Sequence, residues 1–201
     1  MTAQRLVPLI GILAVAAVVA AFAVGGETPD IDDPLREVVS FYKENDSDQA
    51  AAGLILGLGA VFFLCFLASL WPVLRGAEGE RRGPSVLAFA GGIVFAIGLL
   101  IFAGLSFTLG DAADDLSPSG IQTLHVLSME FFLPLAVGNL TFLLGTGISV
   151  VRTAVLPKWL GWVAIVGAVF QFTPLWFIPF LALALLIVVS SLLMSLRAKT
   201  A

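Results

Sequence analysis

The residues best equipped for chemistry fall in one stretch, Gln122-Thr123-Leu124-His125-Val126-Leu127-Ser128-Met129-Glu130, followed by Pro134, Asn139 and Thr141. Glu130 is the one formally charged residue within any apolar run long enough to cross a bilayer. An ionisable group in lipid costs several kcal/mol unless it is paired, neutral or in a wet cavity, so by default it marks a functional position. The chemistry available is a proton-coupled step, a substrate contact or a structural ion pair. Gln122, His125 and Ser128 line up at three-residue spacing, whereas the helical phases of His125 and Glu130 differ by about 140°. Thr123, Glu130 and Thr141 share another strip. Farther along, Gln171 and Thr173 are expected at the same outer level. The candidate intramembrane polar site is therefore Glu130, His125, Gln122, Gln171 and Thr173, either rimming a small pocket or fixing helix against helix through hydrogen bonds.

Other chemistries lack their residues. One histidine and one glutamate five positions apart fall short of a zinc set. Cys65, the one cysteine, lies in an apolar run and reads as a small hydrophobe. The acids after Asp30 lack the glycine and terminal glutamate of a calcium loop, and no nucleophile motif announces a hydrolase. No metal, cofactor or catalytic residue is expected. Ten basic against fourteen acidic residues, with no basic stripe, argue against nucleic acid as a partner.

The elements that carry these residues are membrane helices. Hydrophobic residues make up 59% of the 201, charged residues 12%, and mean hydropathy is +1.05. About 25% charged residues is usual for a soluble domain. A bilayer crossing needs about 20 apolar residues. The runs predict a single membrane domain, an all-α polytopic transmembrane bundle of six spans over 6–24, 53–74, 86–109, 120–151, 159–173 and 179–196. The first run is read as a retained helix, with a signal peptide as the alternative. The last two come from one uncharged stretch, Trp159 to Leu196, too long for one crossing. Pro174 and Pro179 break it, and a re-entrant hairpin is the other solution. Pro134 predicts a kink at Glu130, whose carbonyl loses its usual donor.

Charge placement orients the chain. Arg5, Arg75, Arg81, Arg82, Arg152, Lys158, Arg197 and Lys199 fall on one side, which the positive-inside rule makes cytoplasmic, with both termini. Acids dominate the 25–52 loop and the Asp111, Asp114, Asp115 turn on the other side. Trp71, Trp159 and Trp162 fall near inner ends, and Trp176 and Tyr42 near the outer side, as interface belts would. Within the acidic loop, Asp33 and Pro34 open a helix whose Leu35, Val38, Val39 and Tyr42 form one stripe. This predicts a short amphipathic helix over 34–44, on the bilayer surface or capping the bundle. Asn45-Asp46-Ser47-Asp48 then reads as a turn. Gly53, Gly57, Gly91, Gly98, Gly104, Gly138, Gly145, Gly147, Gly161 and Gly167 predict close helix packing, or a homo-oligomer seam.

Two segments, Val39-Ser40-Phe41-Tyr42-Lys43-Glu44-Asn45 and Leu156-Pro157-Lys158-Trp159-Leu160-Gly161-Trp162, carry a resemblance. With its acidic loop, the chain resembles a family of uncharacterised, mainly actinobacterial integral membrane proteins. The resemblance implies a bacterial inner-membrane protein of about six helices. It brings no activity and no catalytic residues. The functional expectation is a binding or accessory role in the membrane, in contact with lipid and with a membrane-protein partner or second copy. A small proton-coupled transporter or channel-like subunit using Glu130, or a lipid-acting enzyme, stand as alternatives.

Overall fold

A computed structural model describes residues 9–80, 83–175 and 177–197, the last without its side chain. Arg5, Arg81, Arg82, Trp176, Lys199 and the Arg197 side chain lie outside the described residues. The chain is all-α: α1 (Ile10–Gly25), α2 (Leu35–Glu44), α3 (Asp46–Glu78), α4 (Pro84–Asp111), α5 (Pro118–Glu130), α6 (Leu133–Thr153), α7 (Lys158–Val169) and α8 (Ile178–Arg197). Four described helical stretches are long and apolar enough to cross a membrane: Asp46–Glu78, Pro84–Asp111, Pro118–Thr153 taken across its break, and Ile178–Leu196. The protein is a multi-pass membrane helix bundle. α1 and α7 are apolar but have 16 and 12 residues, about 24 and 18 Å. Among the described residues the expected spans over 6–24 and 159–173 are thus met by helices shorter than a 30 Å hydrocarbon layer, with residues 6–8 of the first lying outside the described residues.

α3, α4 and α6 form the spine, with α1 against α3 and α7 against α6, and α8 closes the ring between α7 and α1. Lipid supplies no hydrophobic force between apolar helices, so close backbone approach must hold them. Glycine permits it. A Cβ on Gly98 would lie 2.7 Å from the Leu135 backbone, and one on Gly53 2.6 Å from the Phe107 nitrogen. Gly91, Gly138 and Gly145 meet the facing backbone just as tightly along α4 and α6. Gly57 and Gly104 look into open space, so they take no part in these seams. The middle of the ring is filled: Phe63 stacks edge-on against Phe95 and Phe142, with ring centroids 5.0 and 5.6 Å apart.

Three boundaries differ from the sequence expectation, each for a local reason. Asp46, Ser47 and Asp48 are not a turn but the first turn of α3, where the carboxylates of Asp46 and Asp48 favour the positive end of the helix dipole. Asp33 does not cap α2. Its carboxylate instead accepts the Asp30 backbone N–H at 2.7 Å, and Pro34 occupies the cap position. The helix over 120–151 does not merely kink: it stops at Glu130 and restarts at Leu133. The restart places Pro134 in the first turn of α6, where a missing N–H breaks no intrahelical bond.

The two ends of the bundle differ in charge. Arg75, Arg152 and Lys158 lie at one end, together with Glu78 and Glu80. The acids of the 25–52 loop and the α4–α5 turn lie at the other, with Arg36 and Lys43 as the bases there among the described residues. Gly11 near the start of α1 meets Ser191 on α8, so the two ends of the described chain share the basic end.

Candidate functional site

At the acidic end, α2 and α5 form a cap. The apolar stripe of α2 turns inward: Val38 and Tyr42 are buried with Leu109, Ala113 and Ile121, and Val39, Phe41, Leu116 and Leu124 close round them. Leu35, the first residue of the stripe, remains exposed. Tyr42 is therefore buried rather than part of an interface belt. Its hydroxyl shares a 2.9 Å hydrogen bond with Nδ1 of His125, and the two rings meet edge-on at 5.7 Å. His125 is fully buried, and its Nε2 has no hydrogen-bond partner among the described residues. With the proton on Nε2 the phenol donates to Nδ1; with the other tautomer the roles reverse. Burial pushes the Tyr42 phenol up to about 12, against a smaller opposing pull from the nearby Ser128 hydroxyl. Ser128 donates to the carbonyl of His125 at 2.7 Å. A surface ion pair, Lys43 to Asp114 at 3.5 Å, links the cap to the α4–α5 turn.

Beneath the cap runs an open cleft of about 290 Å³. It lies between the end of α1, the start of α3, α4 and α5. Phe22, Leu56, Phe102 and Met129 form its apolar wall, while Thr28, Tyr42, Gln49, Ser106 and Ser128 supply polar atoms. Gln49, although only 4% exposed, donates to the carbonyl of Gly25 at 2.6 Å and so satisfies the end of α1. No charged side chain lines the cleft among the described residues.

The five candidate residues separate into three places. Gln122, His125 and Ser128 do share a face of α5, with His125 and Ser128 buried and Gln122 half-buried. Glu130 ends that helix on the opposite side, exposed beside exposed Phe131, Phe132 and Leu133. It lines neither the cleft nor the groove on the outer side of α2. Gln171 is buried elsewhere and accepts from Nδ2 of Asn139 at 2.9 Å, joining α6 to the turn after α7. Thr173, half-buried, donates to the carbonyl of Phe170 in that same turn. Among the described residues no group of histidine, cysteine and carboxylate side chains could hold a metal ion.

Sequence reasoning passed over the partners. Tyr42 was visible as part of an amphipathic stripe, but its pairing with His125 crosses 83 positions. Gln49 falls within the 25–52 acidic loop, where no polar partner is expected. Glu78 drew no attention because it falls in a loop-like stretch. Its carboxylate accepts the Ser85 backbone N–H at 2.8 Å and the Ser85 hydroxyl at 2.7 Å, capping α4 from the end of α3. Partial burial works to raise its pKa, but contacts from Ser149, Ser85 and the Gly83 backbone prevail and hold the carboxyl below its usual range. The Ser149 hydroxyl stands beside it without an aligned hydrogen bond.

No protein-family model, curated protein or solved structure matches this chain.

Proposed function

We propose that the protein is a binding or accessory component of a bacterial inner membrane, crossing it six times with both termini in the cytoplasm. The folded cap at its acidic end then faces outward and carries the recognition. The observation behind this reading is the Tyr42–His125 hydrogen bond, which fastens α2 to α5 and turns two charged loops into one shaped surface. A loop needed only to join spans requires no buried polar pair. The groove on the outer side of α2, between Arg36, Val39, Lys43 and Pro118, offers mixed charge and apolar contact to a partner. Such a rim suits a transient or steered protein contact.

A proton-coupled role for Glu130 draws less support, because its side chain points away from the bundle and the ring centre is packed with phenylalanine. The test is site-specific photocross-linking from Ser40 in native membranes, compared with the same probe in a Tyr42→Ala background. A reproducible adduct from Ser40 that disappears when the cap is loosened supports the reading. Absence of any reproducible adduct, or one indifferent to Tyr42, counts against it.

A further inference from the structure

We infer that the cleft beneath the cap binds the head and upper chain of a single-chain amphiphile bearing an amine. This rests on the outward orientation proposed above only for the leaflet from which the ligand enters. The cleft itself exists because α5 packs chiefly on α2 and α4 rather than on α1. It leaves a gap whose floor is Phe22 against Phe102, ring centroids 6.3 Å apart. Polarity grades along it. Ala21, Leu56, Phe102 and Met129 lie on the bilayer side, and Thr28, Tyr42 and Gln49, with Leu109 beside them, lie toward the acidic end. That gradient is the gradient of a lipid lying upright in one leaflet. The volume of about 290 Å³ sits at the small end of ligand pockets, about 300–1,000 Å³, which suits one chain.

Charge selects the head group. The cleft ends at the C-terminus of α1, the negative end of its dipole, which favours a cation. Tyr42 borders it with a ring that is itself almost fully buried against Phe41 and His125. The side-chain oxygens of Thr28, Ser106 and Ser128 can accept from an ammonium, and among the described residues no lysine or arginine lines the cleft to compete. Glu27 adjoins the lining residues Gly26 and Thr28 in sequence, and Asp30, Asp46 and Asp48 belong to the same acidic end, whose field draws cations and repels carboxylates and phosphates.

The experiment uses the full chain in nanodiscs of zwitterionic lipid, reached from both faces so that orientation does not matter. Two diazirine probes of equal chain length are compared, an alkylamine and a fatty acid. The amine is expected to label peptides containing Phe22, Phe102 or Met129 about tenfold more than the acid. Ser106→Trp, which fills the cleft, removes that labelling. Ser106→Lys reverses the preference, a result that filling alone does not produce. If both variants fail to fold, competition by unlabelled alkylamine on the unaltered protein decides: loss of labelling at those peptides sustains the inference. Equal labelling by both probes, or labelling spread over the lipid-facing surface and indifferent to competitor, overturns it. A failed amine preference alongside a Tyr42-dependent Ser40 adduct would sink this ligand and leave the accessory role standing.

Discussion

Tyr42 is the protein's single tyrosine and His125 its single histidine, so the contact that fastens the cap has two unique reporters. Tyr42→Phe keeps the ring packing and removes the hydroxyl, leaving both nitrogens of a buried imidazole without a side-chain partner. The expected loss is about 1–3 kcal/mol, the cost of an unsatisfied buried polar group. Denaturant unfolding in detergent measures it, and a loss below the error would show the bond to be incidental. The phenol also makes a pH probe. Its pKa rises from the ordinary 10.0 to about 12 in the folded protein, so the folded state holds the proton more tightly than the unfolded one. The resulting stabilisation is full below the ordinary value and is lost as pH climbs through the window between the two. Phenolate absorbance, which here reports one residue, should rise only near the upper end and together with exposure of the cap to protease. Titration at the ordinary value with the cap intact would contradict burial of the hydroxyl.

At the scale of the helices, the spine depends on where glycine faces backbone. Gly138 meets the Phe95 backbone of α4, whereas Gly57 faces open space. Gly138→Ala should cost about 1–3 kcal/mol through overpacking, while Gly57→Ala should be neutral or slightly stabilising through helix propensity. Thermal unfolding of the two variants side by side checks it, and equal losses would remove the assignment of the α4–α6 seam. The α3–α4 connection makes a second test. Glu78→Ala removes the carboxylate that accepts both Ser85 donors, an expected loss of about 1 kcal/mol, as for a helix cap. Because the Glu78 pKa is depressed in the folded protein, its contribution is present above the ordinary carboxylate pKa. It is lost as pH falls through the lowered one. The difference between wild type and Glu78→Ala should therefore shrink in acid, and a difference independent of pH would deny the cap its charge.

The whole molecule sorts charge by end, and that makes orientation measurable. With Cys65→Ser as background, single cysteines at Asp32 and at Ala154 lie at opposite ends of the bundle. An impermeant maleimide on intact cells should label the first, and the second only after lysis; the reverse pattern would invert the proposed topology. Much of this level was legible in the chain. Hydropathy runs marked every long helix, because a 30 Å apolar layer demands uninterrupted apolar sequence. Less was legible in the candidate site. Periodicity placed Gln122, His125 and Ser128 on one face, since a helix repeats locally every 3.6 residues. It carried no sign of the far partners, Tyr42 for His125 and Asn139 for Gln171, because a contact across the fold leaves no local period. Pro134 was correctly read as a disturbance, yet only the structure showed a clean restart, because that choice depends on what α5 packs against.

The amino-acid sequence by itself determined the solvent, the helices and the segregation of charge, all of which follow from composition and spacing along one strand of chain. Tertiary structure decided which polar residues meet. It turned the acidic loop into a cap, put Glu130 on the outside, and opened a cleft where α5 stands off from α1. Those outcomes turn on packing angles and on glycines that let backbones touch, quantities that arise only once distant segments are brought side by side.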